Sequence, residues 1–100
     1  MNAVMTQHIV MTAGVCGGKP RIDGTRIRVM DVVALSVHGN DSIDAILERF
    51  PTITHADAHA ALAFYFDNIE LIEAAFAEEE RIVANFRASQ THKVLTLPDA

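Results

Sequence analysis

Residues 17–29 read GGKPRIDGTRIRV and decide the fold of this chain. Within them, Asp23-Gly24 predicts a tight hairpin turn, because glycine accepts positive φ and aspartate can hydrogen-bond its own backbone. Ile27 and Val29 share one face of the extended segment that follows, and the arginines that alternate with them point the other way. The stretch therefore predicts a small β-ribbon that is apolar on one side and cationic on the other.

Length and composition bound the class of protein. The chain has 100 residues, of which 50% are hydrophobic, so it can bury the core of one domain spanning residues 1–100. Its formal net charge of −5 argues against a protein that coats nucleic acid, although positive residues concentrated at one end can act locally. The single cysteine, Cys16, excludes an internal disulfide and fits a reducing cytoplasm. We find no signal peptide and no apolar run of membrane-spanning length, so we expect a cytoplasmic protein without membrane contact.

Helical patterns follow the ribbon. A first helix can begin at Asp31 and run to about His38, where Gly39 supplies a stop, although its β-branched residues leave a strand as the alternative. A second helix is capped by Asp41 or Ser42 and ends at Pro51.

A third helix begins at Thr54, with Asp57 three residues later in a capping-box arrangement. The connection from Phe50 to His55 is short, so the second and third helices must be neighbours. This spacing is typical of a helix-turn-helix. Before the ribbon, residues 8–11 can form a short strand that pairs with it.

A long C-terminal helix is predicted over residues 67–88, either opened by a second capping box at Asp67 and Glu70 or continuous with the third helix through a kink. An apolar seam runs along it in coiled-coil steps of 3, 4, 7 and 3, with Glu79 as its one polar position. Its members are Ile69, Ile72, Phe76, Val83 and Phe86. The seam is longer than a small helical core usually covers, so we predict a homodimer that buries part of it.

The C-terminal part of the chain has an acidic helix face and an apolar tail, and either can contact a partner protein. The outer face of the long helix is acidic and includes Glu78 and Glu80; it is either a solvated helix face or an anionic surface for a basic partner. Residues 89–100 are expected to form a tail, either frayed or docked as a short strand. The apolar residues of this tail are Val94, Leu95 and Leu97.

The basic residues of the ribbon have two competing interpretations. They are Lys19, Arg21, Arg26 and Arg28. They can contact the phosphates of DNA, or their guanidinium groups can pair with acids of the C-terminal helix or of a partner chain. The third helix offers histidines and aspartates outward and lacks the Arg, Lys, Asn or Gln side chains that read bases, so direct base contact by this helix is not expected.

No pattern predicts catalysis, a cofactor or a metal. His55 and His59 have the i, i+4 spacing of metal ligands, but no further ligand accompanies them, and we interpret them as surface histidines. Gly17-Gly18-Lys19 lacks the spacing of a phosphate-binding loop. Cys16 has no base beside it in any motif, so we expect a small buried hydrophobic residue there and no enzyme.

Several segments resemble the domain of unknown function 433 family over roughly residues 9–88. They are Gly18-Lys19-Pro20, Ile22, Gly24-Thr25-Arg26-Ile27, Val29, the stretch 43–51, Thr54, Ala60-Ala61-Leu62 and Tyr65. The resemblance implies a small helix-turn-helix-like domain. It further implies the antitoxin of a bacterial toxin–antitoxin pair, similar to VapB-type antitoxins, whose partner is a PIN-like ribonuclease toxin. The family supplies no established catalytic residues.

We therefore expect a mainly α, helix-turn-helix-like domain of the homeodomain or winged-helix kind, with a short N-terminal β-ribbon and core over 9–66 and a long C-terminal helix. The expected function is that of a type II antitoxin that neutralises its toxin and can also bind operator DNA. The alternative is a helix-turn-helix transcriptional regulator without a toxin. The expected partner-binding residues are Ile69, Ile72, Phe76, Glu78, Glu80, Val83, Phe86, Val94, Leu95 and Leu97.

Overall fold

The computed structural model describes the backbone of residues 6–96 and the side chains of residues 6–90. It is mainly helical, with a short two-stranded antiparallel ribbon at its N-terminal end, as the sequence predicts. The elements in chain order are β1 (Ile9–Val10), a 3-10 turn (Cys16–Gly18), β2 (Arg21–Ile22), α1 (Val29–Ser36), α2 (Ile43–Arg49), α3 (His55–Asp67) and α4 (Ile69–Thr96). No helix within the described residues is both long and apolar enough to span a membrane.

The ribbon is formed by β1 and β2, with Ile9 opposite Ile22. The predicted turn at Asp23-Gly24 is present: the N–H of Thr25 donates to the carbonyl of Ile22, and Gly24 has a φ of +77°. The return arm after the turn is not the predicted strand, since it makes one isolated bridge, between Arg21 and Arg28. The β-ribbon therefore pairs residues 9–10 with 21–22. Residues 25–28 form an arm held beside β2 by two backbone hydrogen bonds, from the N–H of Ile22 to the carbonyl of Ile27 and from the N–H of Val29 to the carbonyl of Pro20.

Helix α1 begins earlier than the sequence predicts. Val29 is its first residue and is fully buried, so Val29 is not a ribbon position. Asp31 lies in the first turn and not at the cap; its carboxylate accepts the backbone N–H of Arg28 at 2.8 Å. This hydrogen bond satisfies one free donor at the helix start and fixes the boundary between arm and helix. The alternative of a strand in this segment is wrong.

The break after α1 involves two different residues. Gly39 was predicted to end the helix, and the left-handed conformation lies instead at Asn40, with a φ of +61°. Gly39 is required for a different reason, because a Cβ there would lie 2.8 Å from the carbonyl oxygen of Leu35. Asparagine tolerates the left-handed region better than most residues because its short side chain can hydrogen-bond locally.

Helices α2 and α3 form as predicted. The Ser42 hydroxyl accepts the N–H of Ala45, which caps α2. Thr54 and Asp57 form a reciprocal capping box at the start of α3. His8, just before β1, lies 2.7 Å from the same Asp57 carboxylate and ties the ribbon to α3. Burial of the Asp57 carboxyl opposes ionisation, but the N–H of Thr54 and the His8 ring together lower its pKa.

The core lies between the ribbon, the three short helices and the first turns of α4. Its buried apolar members are Ile22, Val29, Met30, Val32, Val33, Ile46, Ile53, Ala58, Ala61, Tyr65 and Ile72. The presence of Ile72 is a correction to the predicted seam. Its side chain is 1% exposed, so it packs inside its own chain and is not available to a partner.

Helix α4 is a separate helix and does not continue straight from α3. Asp67 is the last residue of α3 and not a cap, and the backbone breaks at Asn68, with φ −141° and ψ 46°. The helix continues to Thr96, so residues 89–96 are helical and the predicted tail from residue 89 is wrong there. The reason is that no Gly or Pro occurs between Asn68 and Thr96 to stop the helix. The predicted tail residue Leu97 lies outside the described part of the chain.

Candidate partner-binding site

The ribbon, α1, α2, α3 and the first turns of α4 form the body of the protein. The main candidate site is the part of α4 that projects from this body. Ile72 is buried and Phe76 is half-buried, but every residue from 77 to 90 is exposed. The radius of gyration is 17.6 Å, against ~13 Å for a compact domain of this length, and a helix that projects from the body raises this value. The body therefore leaves most of the side chains of this projecting helix uncovered.

The projecting part of α4 exposes large apolar side chains. Val83 is 40% exposed and Phe86 is 61% exposed, and both continue the face that packs on the body through Ile72 and Phe76. Ile82, at 55% exposure, widens this stripe. The charged side chains of this part of α4 are the glutamates at positions 78–80 and the two arginines, Arg81 and Arg87. One helix therefore presents an apolar stripe with a mostly acidic border.

An ion-pair cluster fixes the base of this helix. The Arg28 Nη1 donates to Glu79 Oε2 at 2.9 Å, and its Nη2 donates to Asp31 Oδ1 at 2.8 Å. The hydrogen bond to Asp31 raises the pKa of Arg28, burial opposes this, and Glu79 adds to the rise. The interpretation in which the ribbon arginines pair with acids of the C-terminal helix is confirmed at Arg28.

A second cluster at the base of α4 joins α3, α4 and the segment that follows α1. The Tyr65 hydroxyl donates to Glu73 Oε2 at 2.7 Å, and the His38 Nε2 lies 3.0 Å from the same oxygen. The hydrogen bond from Tyr65 is the main cause of a lowered pKa at Glu73, and His38 adds to it; the same bond raises the pKa of Tyr65. The His38 ring also packs on Phe76, with 4.7 Å between ring centroids. Sequence reasoning missed this cluster, since its members are far apart in the chain and share no motif.

An open groove of about 500 Å³ lies where α4 leaves the body. His38 and Glu73 form its inner end, and Phe76, Val83 and Arg87 follow along α4. The groove therefore continues from the second cluster onto the projecting helix.

A second, smaller groove of about 310 Å³ lies on the other side of α4 and is mainly apolar. Its walls are Met11, Gly17, Gly18, Lys19 and Pro20 on one side and Leu71, Ile72, Ala74, Ala75 and Glu78 on the other. The segment Gly17-Gly18-Lys19 thus packs beside α4 and forms one wall of an apolar groove.

The predicted cationic residues are divided between two roles. Arg28 is held by Asp31 and Glu79, and Arg21 donates to the Thr25 carbonyl and the Thr12 hydroxyl at 3.3 and 3.0 Å. Arg26 is exposed, Lys19 is half-buried, and neither takes part in an ion pair among the described residues. Only two of the four are therefore left for phosphate contacts.

The histidines of α3 and Cys16 form no metal-binding or catalytic group in the described part of the chain. His55 lies 3.4 Å from the exposed Asp44 carboxylate, and no group of three or more metal-binding side chains occurs among residues 6–90. Cys16 is half-buried, and its Sγ is 3.5 Å from the Arg26 carbonyl oxygen.

The predicted partner-binding residues fall into three groups. Ile69, Phe76, Glu78, Glu80, Val83 and Phe86 lie at the base or on the projecting part of α4 and are exposed or half-buried. Ile72 is removed from the set by its burial. Val94 and Leu95 lie on the last turns of α4, beyond the described side chains, and Leu97 lies outside the described residues.

Comparison with known proteins gives a family match to the body but not to the projecting helix. The family model described as "Protein of unknown function (DUF433)" matches residues 9–65, ending before α4 and short of the expected residue 88. A crystal structure of a DUF433 member protein from Anabaena variabilis ATCC 29413 is 38% identical, with a TM-score of 0.65. The match covers 70% of this chain and 68% of the Anabaena chain. No curated protein matches.

Proposed function

The chain belongs to the DUF433 family, and we propose that it acts as the antitoxin of a bacterial type II toxin–antitoxin pair, binding and neutralising a PIN-like ribonuclease through α4. The resemblance in the sequence motifs, which implies a VapB-type antitoxin, supports the class of function. The observation that carries the assignment to α4 is that every residue from 77 to 90 is exposed, with Val83 and Phe86 on one face. A surface of this kind binds another protein by burying its apolar side chains.

The charge of α4 suits the proposed partner. A PIN-like nuclease must attract RNA with a positively charged groove, so an inhibitor that covers this groove gains from carboxylates. Glu78 and Glu80 are exposed on α4, beside the apolar stripe. Complementary charge accelerates association, and buried apolar contacts such as those of Val83 and Phe86 hold the complex.

The clusters at the base of α4 support this role. Arg28 and Glu79 on one side, and Tyr65, Glu73 and His38 on the other, hold the first turns of α4 against the body. The projecting part is therefore presented in a fixed direction, which lowers the ordering cost of binding.

DNA binding has less support from the geometry. Two of the four ribbon cations are engaged within the chain, and the exposed positions of α3 include His55, Ala56, His59 and Ala63. Histidine at a helix N-terminus and alanine are poor readers of base edges. Operator binding, with or without a toxin, would therefore depend on phosphate contacts from Lys19 and Arg26.

The test is co-expression of the chain with a PIN-like nuclease encoded beside its gene. A chain cut after Phe66 would lose Ile72 and Phe76, which pack on the body, so its failure to protect cells would not separate misfolding from lost binding. A chain cut after Ala77 keeps these contacts and removes the projecting helix. We expect this shorter chain to fold and to lose protection.

A substitution with a matched control sharpens the test. Val83→Glu/Phe86→Glu places charge on the apolar stripe, and Ala88→Glu places charge on the opposite face of the same helix segment. We expect the first variant to bind the nuclease on the order of 30-fold more weakly, the effect of losing about 2 kcal/mol at a binding centre, and the second to bind normally. Undiminished protection by the chain cut after Ala77 would overturn the assignment to α4.

A further inference from the structure

We propose that α4 pairs with α4 of a second copy of this chain, in antiparallel orientation, over residues 79–90. The occupant of the apolar stripe in the free protein is therefore another identical helix. The position of the body relative to the stripe, the charges along α4 and the exposure of its apolar residues all favour this pairing. It does not require the toxin.

The exposed length of α4 favours a partner helix. Most of the stability of a helix in a protein comes from packing of its apolar face, so a helical extension that packs on nothing gains little stability even though the body nucleates it. Every residue from 77 to 90 is exposed, and among the described residues only Glu79 pairs with the body, through Arg28. Val83 and Phe86 lie together on one side of this segment. Pairing with a second helix supplies the missing apolar contact.

The position of the body selects the orientation. The face of α4 that packs on the body through Ile72 and Phe76 is the same face that continues outward as Val83 and Phe86. In a parallel pair, each body would occupy the space that the partner helix needs. In an antiparallel pair centred between Val83 and Phe86, the two bodies lie at opposite ends, about 20 Å apart along the axis at 1.5 Å per residue.

The charges along the helix select the same orientation. In parallel register Glu80 would lie level with the Glu80 of the partner and two turns away from its Arg87, so these opposite charges would not meet. In antiparallel register Val83 faces the partner's Phe86, Glu79 faces the partner's Gln90, and Glu80 comes beside the partner's Arg87. Opposite charges that flank an apolar seam set partner choice and orientation in coiled coils.

The ion pairs within the chain leave the flanking charges available. Glu78 and Arg81, on the outer side of the helix, pair with each other at 2.6 Å. Glu80 and Arg87 take part in none of the ion pairs among the described residues, and both line the open groove beside His38. This groove, of about 500 Å³, gives the far end of the partner helix a path past the body.

The first experiment measures mass in solution by sedimentation equilibrium. We expect the purified chain at high micromolar concentration to show twice its mass of 10.9 kDa. We expect Val83→Glu/Phe86→Glu to be monomeric and the control Ala88→Glu to remain dimeric, with all three keeping the helical circular dichroism of the body. A monomeric parent chain, or a dimer unaffected by the double substitution, overturns the inference.

The second experiment measures orientation by disulfide cross-linking in a Cys16→Ser background. Glu79→Cys and Gln90→Cys chains are mixed, oxidised and digested, and the cross-linked peptides are identified by mass spectrometry. We expect the bond to join residue 79 of one chain to residue 90 of the other. Cross-links of 79 to 79 or of 90 to 90, or no cross-link, overturn the antiparallel arrangement.

A charge exchange tests the flanking pair. We expect Glu80→Arg and Arg87→Glu each to weaken the dimer at least several-fold, and the double exchange Glu80→Arg/Arg87→Glu to recover most of the parent affinity. Additive weakening in the double variant contradicts the pairing. If the proposed function also holds, the toxin and the second copy compete for Val83 and Phe86; all three experiments use the chain alone, so failure of the toxin assignment leaves them interpretable.

Discussion

Arg28 and Glu79 are 51 residues apart in the chain, yet the Arg28 guanidinium donates to the Glu79 carboxylate at 2.9 Å. The same guanidinium holds Asp31, in the first turn of α1. One side chain therefore links the arm after the hairpin turn, the start of α1 and the point at which α4 leaves the body. Together with the Tyr65, Glu73 and His38 cluster and the buried Ile72, this link holds the first turns of α4 against the body.

The first prediction concerns this arginine. We expect Arg28→Ala to lower the free energy of unfolding by about 1–2 kcal/mol, since it removes two ion pairs that are only partly screened by solvent. The matched variant Arg26→Ala, at an exposed position of the same arm, should change it by less than about 0.5 kcal/mol. Urea unfolding of both variants measures the difference, and equal effects would contradict the structural role of Arg28.

The second prediction concerns Gly39. We expect Gly39→Ala to destabilise the protein by about 1–3 kcal/mol, because the new Cβ would lie 2.8 Å from the Leu35 carbonyl oxygen and 3.0 Å from that of Ala34, and backbone must move to relieve the contact. The neighbouring Asn40→Gly is the control, since glycine adopts the left-handed φ of that position readily. Thermal unfolding compares them. An unchanged Gly39→Ala variant would show that the close approach is not a constraint.

The third prediction separates core from surface along α4. Ile72→Ala should cost about 2–5 kcal/mol, because it opens a cavity in the core. Ile69→Ala, at 45% exposure one turn earlier, should cost well under half of that. Chemical denaturation of the two variants tests the division. Similar losses at both positions would mean that Ile69 is buried in solution.

The fourth prediction is a pH dependence at Glu73. The Tyr65 hydroxyl and His38 keep its pKa in the folded state below the ordinary value, so its ionised form stabilises the fold above the unfolded pKa of ~4.3. This contribution is lost as the pH falls through the lower, folded pKa. We expect the stability difference between the parent and Glu73→Gln to be largest near neutral pH and to shrink below about pH 4.

Glu70→Gln is the control for this titration. Glu70 is an exposed glutamate on the same helix whose side chain makes no hydrogen bond to a described residue, so Glu70→Gln controls for the loss of one negative charge from α4. Thermal scans between pH 3 and 7 measure all three proteins. A Glu73→Gln profile parallel to that of the parent would contradict the role of the Tyr65 hydrogen bond.

Local sequence rules predicted the parts of the fold that local interactions determine. Ser42, Thr54 and Asp57 cap their helices because the capping hydrogen bonds form within three residues. The turn at Asp23-Gly24 formed for a similar reason. The start of α1 was predicted too late because an aspartate near a helix start can be the cap residue or lie in the first turn. Here the Asp31 carboxylate accepts the backbone N–H of Arg28, which makes Arg28 the cap residue and places Asp31 in the first turn.

The distribution of the seam between core and surface could not be predicted from spacing alone. Ile72 and Val83 follow the same periodic pattern, but one is buried and the other is 40% exposed. The difference depends on where the body ends along α4, which is set by tertiary packing of residues distant in the chain. For the same reason, the Tyr65, Glu73 and His38 cluster has no signal in the sequence.

The last prediction concerns DNA, where the structure divides residues that the sequence grouped together. If the chain binds DNA, its affinity should fall with salt in proportion to the phosphates contacted, and each lost contact should flatten that slope by roughly 1. We expect Lys19→Ala and Arg26→Ala to flatten the slope and to weaken binding to all sequences about equally. Arg28→Ala should leave the slope unchanged, because its guanidinium is already held by Asp31 and Glu79. Binding titrations at several salt concentrations measure these slopes. A slope that is changed by Arg28→Ala but not by Arg26→Ala would show that Arg28 contacts phosphate, contrary to this prediction.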